Sequence, residues 1–424
     1  MIALGVLLFF FALVVAGTPI FGAMGIAALT GVWLLDESTS PLLNLGLTVY
    51  QSLGNFLLIA VPLYIYAGTL MEVAGLNEKL FRFARVWVGA VPGGLGVATV
   101  VACAIFAAIC GSSVATAVTI GLVAFPALVR GGYTPHFSGS LVAAGGTLGI
   151  LIPPSIAMII FGVLTEQSIA QLFIAGAVPG VLLAMLMAIY AIFFSGVRSD
   201  PTPITWIERI QVTREAILVL LLPLGVLFSI YSGLATPTEV AALAVAYVLV
   251  IGIATRMLTW QHFWDATMKA TRTSVMIFMM IAFGQALTEF FTLTGLPQMV
   301  VDMASSSGLG YLAVVTLMVL IYILLGTFLE ATSMMLVSVP IMFPLAKAIG
   351  MDPLAFGVFV VLAVEVAQIH PPFGINLYAL SGIGKVHIGR MSISVIPYIV
   401  MMICMMFAIS IFPQIVTWLP KTMR

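Results

Sequence analysis

Apolar residues run along this chain in long unbroken blocks, such as 217–230 and 314–325, separated by short polar or glycine- and proline-bearing stretches. A helix needs about 20 apolar residues to cross a bilayer. On that measure the pattern predicts spanning helices over 2–16, 19–35, 56–74, 136–164, 168–195, 214–232, 238–257, 275–293, 354–382 and 391–413. Two blocks, 94–129 and 310–347, are each too long for one crossing, and small polar residues interrupt both near the middle. A polar segment, 197–214, with Asp200-Pro201-Thr202-Pro203, separates two groups of spans.

Between spans lie two amphipathic stretches. One, 77–91, sets Lys79, Arg82 and Arg85 among Leu80, Phe81, Phe83 and Trp87; the other, 259–273, mixes Trp260, Phe263 and Trp264 with Lys269 and Arg272. They read either as helices lying in the membrane interface or as juxtamembrane loops with aromatic anchors.

Composition removes the alternatives. Of 424 residues, 62% are apolar and only 7% charged, with 15 basic and 15 acidic side chains and no net charge. Soluble domains carry about 25% charged residues, so this chain could not clothe the surface of a water-soluble globule. Soluble enzymes, nucleic-acid binders and disordered chains are excluded on that ground. A β-barrel would show alternating segments of about ten residues, which the unbroken blocks are not. The start of the chain lacks a basic n-region and reads as a first span rather than a cleaved signal. Cys103, Cys110 and Cys404 sit in apolar runs and read as small buried hydrophobes; neither they nor His136, His262, His370 and His387 have metal-ligand spacing.

The two halves, 1–205 and 206–424, align without a gap at an offset of 218 residues. Phe125-Pro126 falls on Phe343-Pro344, Gly132 and Pro135 on Gly350 and Pro353, and Gly139 on Gly357. Pro153-Pro154 falls on Pro371-Pro372, and Pro179 on Pro397. A co-registered double proline is not a coincidence of apolar composition, so the chain reads as an internal repeat. If both leftover blocks are hairpins that enter and leave on one side, each half crosses five times and the halves are inverted. With the N-terminus outside, the inner face then carries twelve basic residues: Lys79, Arg82, Arg85, Arg130, Arg198, Arg209, Arg214, Arg256, Lys269, Arg272, Lys385 and Arg390. The outer face carries three, Lys347, Lys421 and Arg424. That asymmetry fits the excess of basic residues on cytoplasmic loops, and it puts the first hairpin on the inner side and the second on the outer. The fold class expected is an all-α polytopic membrane protein, an inverted repeat with two re-entrant hairpins (94–129, 310–347) and two broken helices (136–164, 354–382).

Inverted repeats with interrupted helices belong to secondary transporters, whose sites lie near the midplane between half-helix ends. Broken backbone at that depth is tolerated only where it lines a cavity or is buried in protein. Four interruptions qualify. Gly111-Ser112-Ser113 supplies a turn, two hydroxyls and the start of a half-helix. Glu330-Ala331-Thr332-Ser333 is its counterpart. The run from Gly149 through Ile152, Pro153, Pro154 and Ser155 breaks one span, because prolines remove amide donors and free carbonyls. The run from His370 through Pro371, Pro372 and Gly374 to Asn376 breaks the other, and Asn376 adds a side-chain carbonyl. The plainer readings are close packing for the serines and glycines and a structural kink for the prolines. An ionised carboxylate at the bilayer centre costs at least ~2.5–3.5 kcal/mol. Glu330 and Glu365 therefore call for a bound cation, a proton or a basic partner, whereas Glu72, Glu166, Glu239 and Glu289 fall near span ends and read as interfacial. No Walker motif and no glycine fingerprint after a strand is present, so an ion gradient is the expected energy source. Hydroxyl and carbonyl oxygens without a chain of buried acids favour sodium as the coupling ion, with no other cofactor.

In order along the chain, GSSVATAV, a basic-Gly-Gly-Tyr turn, GGTLGILIPPS, LEATS and HPPFGINL resemble the large membrane subunit of tripartite ATP-independent periplasmic (TRAP) transporters, over essentially the whole length. The resemblance implies sodium-coupled import of organic acids such as C4-dicarboxylates or sialic acids across a bacterial inner membrane, with the N-terminus periplasmic. It implies two partners, a periplasmic binding protein and a small four-helix membrane subunit. It also implies an elevator mechanism, in which a domain built around two hairpins moves against a scaffold, each domain drawn from both repeats. The sodium set expected is Gly111, Ser112, Ser113, Ile152, Pro153, Ser155, Glu330, Thr332, Ser333, Pro371, Gly374 and Asn376. The substrate carboxylate is expected between the two tips, near Ser113, Thr116, Ser155, Ser333 and Asn376. The rival readings are a stand-alone ion-coupled symporter or exchanger without a binding protein, and a channel or membrane-embedded enzyme. No catalytic dyad or metal set supports the last.

Overall fold

The computed structural model describes residues 2–35, 40–197 and 204–423. Among them every regular element is a helix. Arg198, Asp200, Pro201, Thr202, Pro203 and Arg424 lie outside the described residues.

The first half runs α1 (Ile2–Val15), α2 (Ile20–Leu35), α3 (Ser40–Leu53), a 3-10 turn (Phe56–Ile59) leading into α4 (Ala60–Val73), α5 (Leu76–Val88), α6 (Gly94–Cys110), α7 (Ser113–Arg130), α8 (Pro135–Leu151), α9 (Ile156–Thr165) and α10 (Ile169–Phe194). The second runs α11 (Trp206–Tyr231), α12 (Pro237–Ala254), α13 (Trp260–Leu293), α14 (Leu296–Ser306), α15 (Tyr311–Gly326), α16 (Ala331–Ala348), α17 (Pro353–Ile369), α18 (Ile375–Gly384), α19 (Ile388–Ser394) and α20 (Ile396–Ile411). Among the described residues seven helices are long and apolar enough to cross a membrane, or up to nine with each bent pair counted as one span.

Local chemistry sets most boundaries. Thr205, Thr236 and Thr259 each cap a helix by accepting from a backbone N–H of its first turn. Thr236 and Glu239 close a reciprocal capping box. Pro135, Pro237 and Pro353 occupy the first turn, where a missing N–H costs nothing. At the 218-residue offset, α7 falls on α16 and α8 on α17 end to end. Pro153-Pro154 and Pro371-Pro372 are both cis.

Three boundaries differ from the expectation. The stretch 259–273 is not a separate interfacial helix but the first half of the 34-residue α13. No proline or glycine lies between 260 and 283, so the shift from amphipathic to apolar marks a change of surroundings, not a helix end. Helix α11 begins at Trp206, eight residues before the expected start, because Thr205 caps it and Glu208 sits in its first turn. The expected span 391–413 is bent by 43° between α19 and α20, where Pro397 sits in the first turn of α20, whereas its counterpart Pro179 lies inside the continuous α10.

Packing sorts the helices. Helix α13 runs against α2, α3 and α4, and α4 also packs on α12. Helix α8 lies against α6, α7, α10, α17 and α18, while α17 packs on α15, α16 and α20. The two groups meet where α13 crosses α16 and where α4 reaches α6. Lys79 on α5 reaches Met257 in the α12–α13 link, and Arg82 pairs with Glu215 on α11 at 2.9 Å. Trp87 donates to Thr213, and the Arg209 guanidinium lies over the Trp87 and Trp206 rings. Basic residues of α5 and α11 thus lie close together beside the α12–α13 link.

Candidate functional site

Helices α6 and α7 pack on each other across a two-residue break. Gly111 ends α6 with φ of 60°, a left-handed conformation that strains any residue with a Cβ. A methyl group there would also fall 2.7 Å from the Pro154 carbonyl oxygen. The first tip is therefore pressed on the break between α8 and α9, which bend by 41° across Ile152–Ser155. Gly149 allows the approach from the other side, since a methyl group on it would lie 2.6 Å from the Ser112 carbonyl oxygen.

Ser112 caps α7 by accepting from Ala115 N–H, and Ser155 caps α9 by accepting from Met158 N–H. Thr116 is buried and donates to the Ser112 carbonyl at 2.8 Å, so it braces the tip from within. The first tip also meets the other half: Asn376 on α18 donates to Ser113 Oγ at 2.7 Å and to the Ala143 carbonyl at 3.1 Å. A carbonyl only accepts, so the amide nitrogen faces it. The Asn376 Oδ1 is left buried with no hydrogen-bond partner among the described residues.

The second tip is built differently. Thr327–Glu330 join α15 to α16, and Glu330 takes the position that Ser112 holds in the first half. Its carboxylate accepts from Ser333 N–H and Ser333 Oγ, both at 3.0 Å. The acid is thus offset by the N-terminus of α16 and needs no basic partner. Glu365 has none of this. It is fully buried in α17, and neither oxygen has a hydrogen-bond partner among the described residues. Of the three ways to offset its charge, a basic side chain is excluded among those residues, whose ion pairs are Arg82–Glu215 and Lys269–Glu72.

Both tips reach a single cavity of ≈ 510 Å³. Gly111, Ser112, Ser113, Glu330 and Thr332 line it. Ile152, Pro153, Ser155, Thr116 and Asn376 are buried behind the first tip, and Ser333 behind the second. Pro371 and Gly374 do not line the cavity, although Gln368 and Ile375 on either side of that break do; Phe373 is 55% exposed, whereas the first break is fully buried. Another wall comes from α4 and α13, with Thr69, Glu72, Lys269 and Thr273. Gln368, one turn after Glu365, completes the polar lining. The sequence reads Glu72 as a span-end residue and Lys269 as part of an amphipathic stretch, and nothing in their spacing links two positions 197 apart.

Residues 7–415 match the family model described as "Tripartite ATP-independent periplasmic transporter, DctM component". The chain belongs to this family. That family is one of transporter permeases, and the apolar helices make this chain a multi-pass membrane protein. A C4-dicarboxylate TRAP transporter large permease protein from Vibrio cholerae is 33% identical, covering 96% of this chain and 95% of that one. The isethionate TRAP transporter permease protein DctMQ of Oleidesulfovibrio alaskensis is also 33% identical, over 97% of this chain but 65% of its own length. In fold, the chain is similar to the YdaH transporter of Alcanivorax borkumensis, with a TM-score of 0.64 at 14% identity, over 90% of this chain and 89% of that one.

Proposed function

We propose that this permease imports a small organic acid across the bacterial inner membrane, coupled to sodium and fed by a periplasmic binding protein. The observation that carries the reading is the meeting of two helix-break-helix tips in one cavity of ≈ 510 Å³, a volume suited to a small ligand. Ser112, Ser113 and the N-terminus of α7 offer hydroxyls and backbone N–H groups to a carboxylate. Glu330 already occupies the N-terminus of α16, so the acid's charged end belongs at the first tip.

Sodium is assigned to the oxygens beside each tip. On the first side these are the Asn376 Oδ1, the Ser113 hydroxyl and the carbonyls freed at Ile152–Ser155; on the second, Glu330, Thr332 and the region of the α17–α18 break. The unpartnered, buried Asn376 Oδ1 supports the first assignment. Alternating access is read as an elevator. The group around α8 and α17, carrying both tips, moves as one body past the group around α4 and α13, and each body draws on both halves of an inverted repeat. The coincident ends of α7 with α16 and of α8 with α17 support that repeat. The N-terminus lies on the periplasmic face, opposite the end where α5, α11 and the α12–α13 link collect basic side chains. A small membrane subunit and the binding protein complete the transporter, a reading that the family match favours over a stand-alone symporter.

The test is reconstitution in liposomes with the co-encoded membrane subunit and binding protein. Uptake of succinate, N-acetylneuraminate or isethionate that needs both an inward sodium gradient and the binding protein is expected. Uptake of one of these acids without a binding protein restores the stand-alone reading, and uptake indifferent to sodium removes the coupling ion.

A further inference from the structure

Three charged side chains line the cavity: Glu72, Lys269 and Glu330. Glu330 is engaged by the start of its own helix. Lys269 is the one cation in the lining among the described residues, and it is held by Glu72, with Nζ 2.7 and 2.6 Å from the two carboxylate oxygens. The pair joins α4 to α13 in the cavity wall, and it is only partly buried: the lysine side chain is 52% and the glutamate 26% exposed. A pair so exposed is worth little, and a lysine ammonium on its flexible stem changes partner easily. Helices α4 and α13 are packed along their length by apolar contacts, so their association does not depend on this bridge.

We infer that Lys269 is a second station for the substrate's acidic group, carboxylate or sulfonate, with Glu72 as the resident anion that the substrate displaces and that afterwards expels it. The inference rests on the organic-acid reading above. An acid leaving the first tip through the open side of the cavity meets one cation, already neutralised by a group that competes for it. Lys269 draws the anion off the tip, and Glu72 keeps that attraction from becoming a trap. The pair thereby selects anionic solutes and sets the rate at which they are released.

A merely structural ion pair and an exchange station predict different signs. Loss of either partner breaks a structural bridge, so Glu72→Gln and Lys269→Gln would act alike. An exchange station makes them opposite. In liposomes containing the membrane subunit and binding protein, Lys269→Gln is expected to raise the half-saturating concentration of the transported acid about tenfold, or ~1.4 kcal/mol. Glu72→Gln is expected to lower that concentration and to slow turnover, because the freed lysine holds the anion longer. Lys269→Arg, which keeps the charge, is expected to stay near wild type. Should Lys269→Gln not fold, Glu72→Gln decides alone. The probes are succinate, N-acetylneuraminate and isethionate in turn. If the unmodified transporter takes up none of them, the organic-acid reading fails and this inference with it. If it takes one up while Glu72→Gln leaves half-saturation unchanged or raises it, only the exchange station is overturned.

Discussion

At the scale of single residues, the first tip is held by one left-handed glycine and one amide. Gly111→Ala adds a Cβ to a backbone at φ of 60° and presses it on the Pro154 carbonyl. Gly132→Ala meets φ of 90° but nothing within 4 Å. Strain of this kind costs about 1–3 kcal/mol. Thermal unfolding in detergent is therefore expected to show the larger loss for Gly111→Ala, which adds a clash to the strain. Asn376→Ala leaves Ser113 and the Ala143 carbonyl without their donor, a loss of about 1–3 kcal/mol. If the orphaned Oδ1 is a sodium ligand, uptake by this variant needs several-fold more sodium while its amount in the membrane falls little. The same is expected of Ser112→Ala and Ser113→Ala. A drop in abundance that matches the drop in uptake would assign all three to packing alone. The glycine, the serines and the asparagine could be singled out from the sequence because small polar residues stand out in an apolar block. Glu72 and Lys269 could not, since a charge near a span end looks the same whether it faces headgroups or a cavity.

At the scale of elements, the interruptions were legible and several continuities were not. The doubled Pro-Pro and the small polar tips marked both helix breaks to within a few residues, because proline removes a donor wherever it stands. Helix α14 was missed: its few polar residues between apolar ones resemble a loop, and it is stabilised by packing on α16 rather than by propensity. Helix α3, in the unassigned stretch before α4, was missed too. The sequence equated the two tips, yet the structure gives one a serine cap enclosed by its partner break and the other a glutamate cap beside an exposed break. In a variant lacking Cys103, Cys110 and Cys404, cysteines at 112 and 332 are expected to react with a small charged thiol reagent, and transported acid is expected to slow both. Leu317, 47% exposed on the apolar α15, is expected not to react as cysteine. Tips that never react would mean helices that cross the bilayer without a water-filled break.

At the scale of the whole molecule, the elevator reading requires α16 to slide past α13. A Cβ built on Gly284 of α13 lies 2.9 Å from the Leu336 Cβ on α16, close enough that small shifts bring a cysteine pair to disulfide separation. Gly284→Cys with Leu336→Cys is expected to cross-link on oxidation, to stop uptake and to regain it on reduction. Full uptake with the cross-link formed would mean that the two helices keep their places through the cycle.

The sequence alone determined the solvent, the class of fold, the positions of the two tips and the two Pro-Pro breaks, and the family, because hydropathy, proline and small polar tips act locally and survive in any arrangement of the helices. The tertiary structure decided which breaks adjoin the cavity, that Asn376 reaches across to Ser113, and that an ion pair lines the same cavity as both tips. Those facts depend on how helices some 200 residues apart come to touch, and no local spacing encodes that.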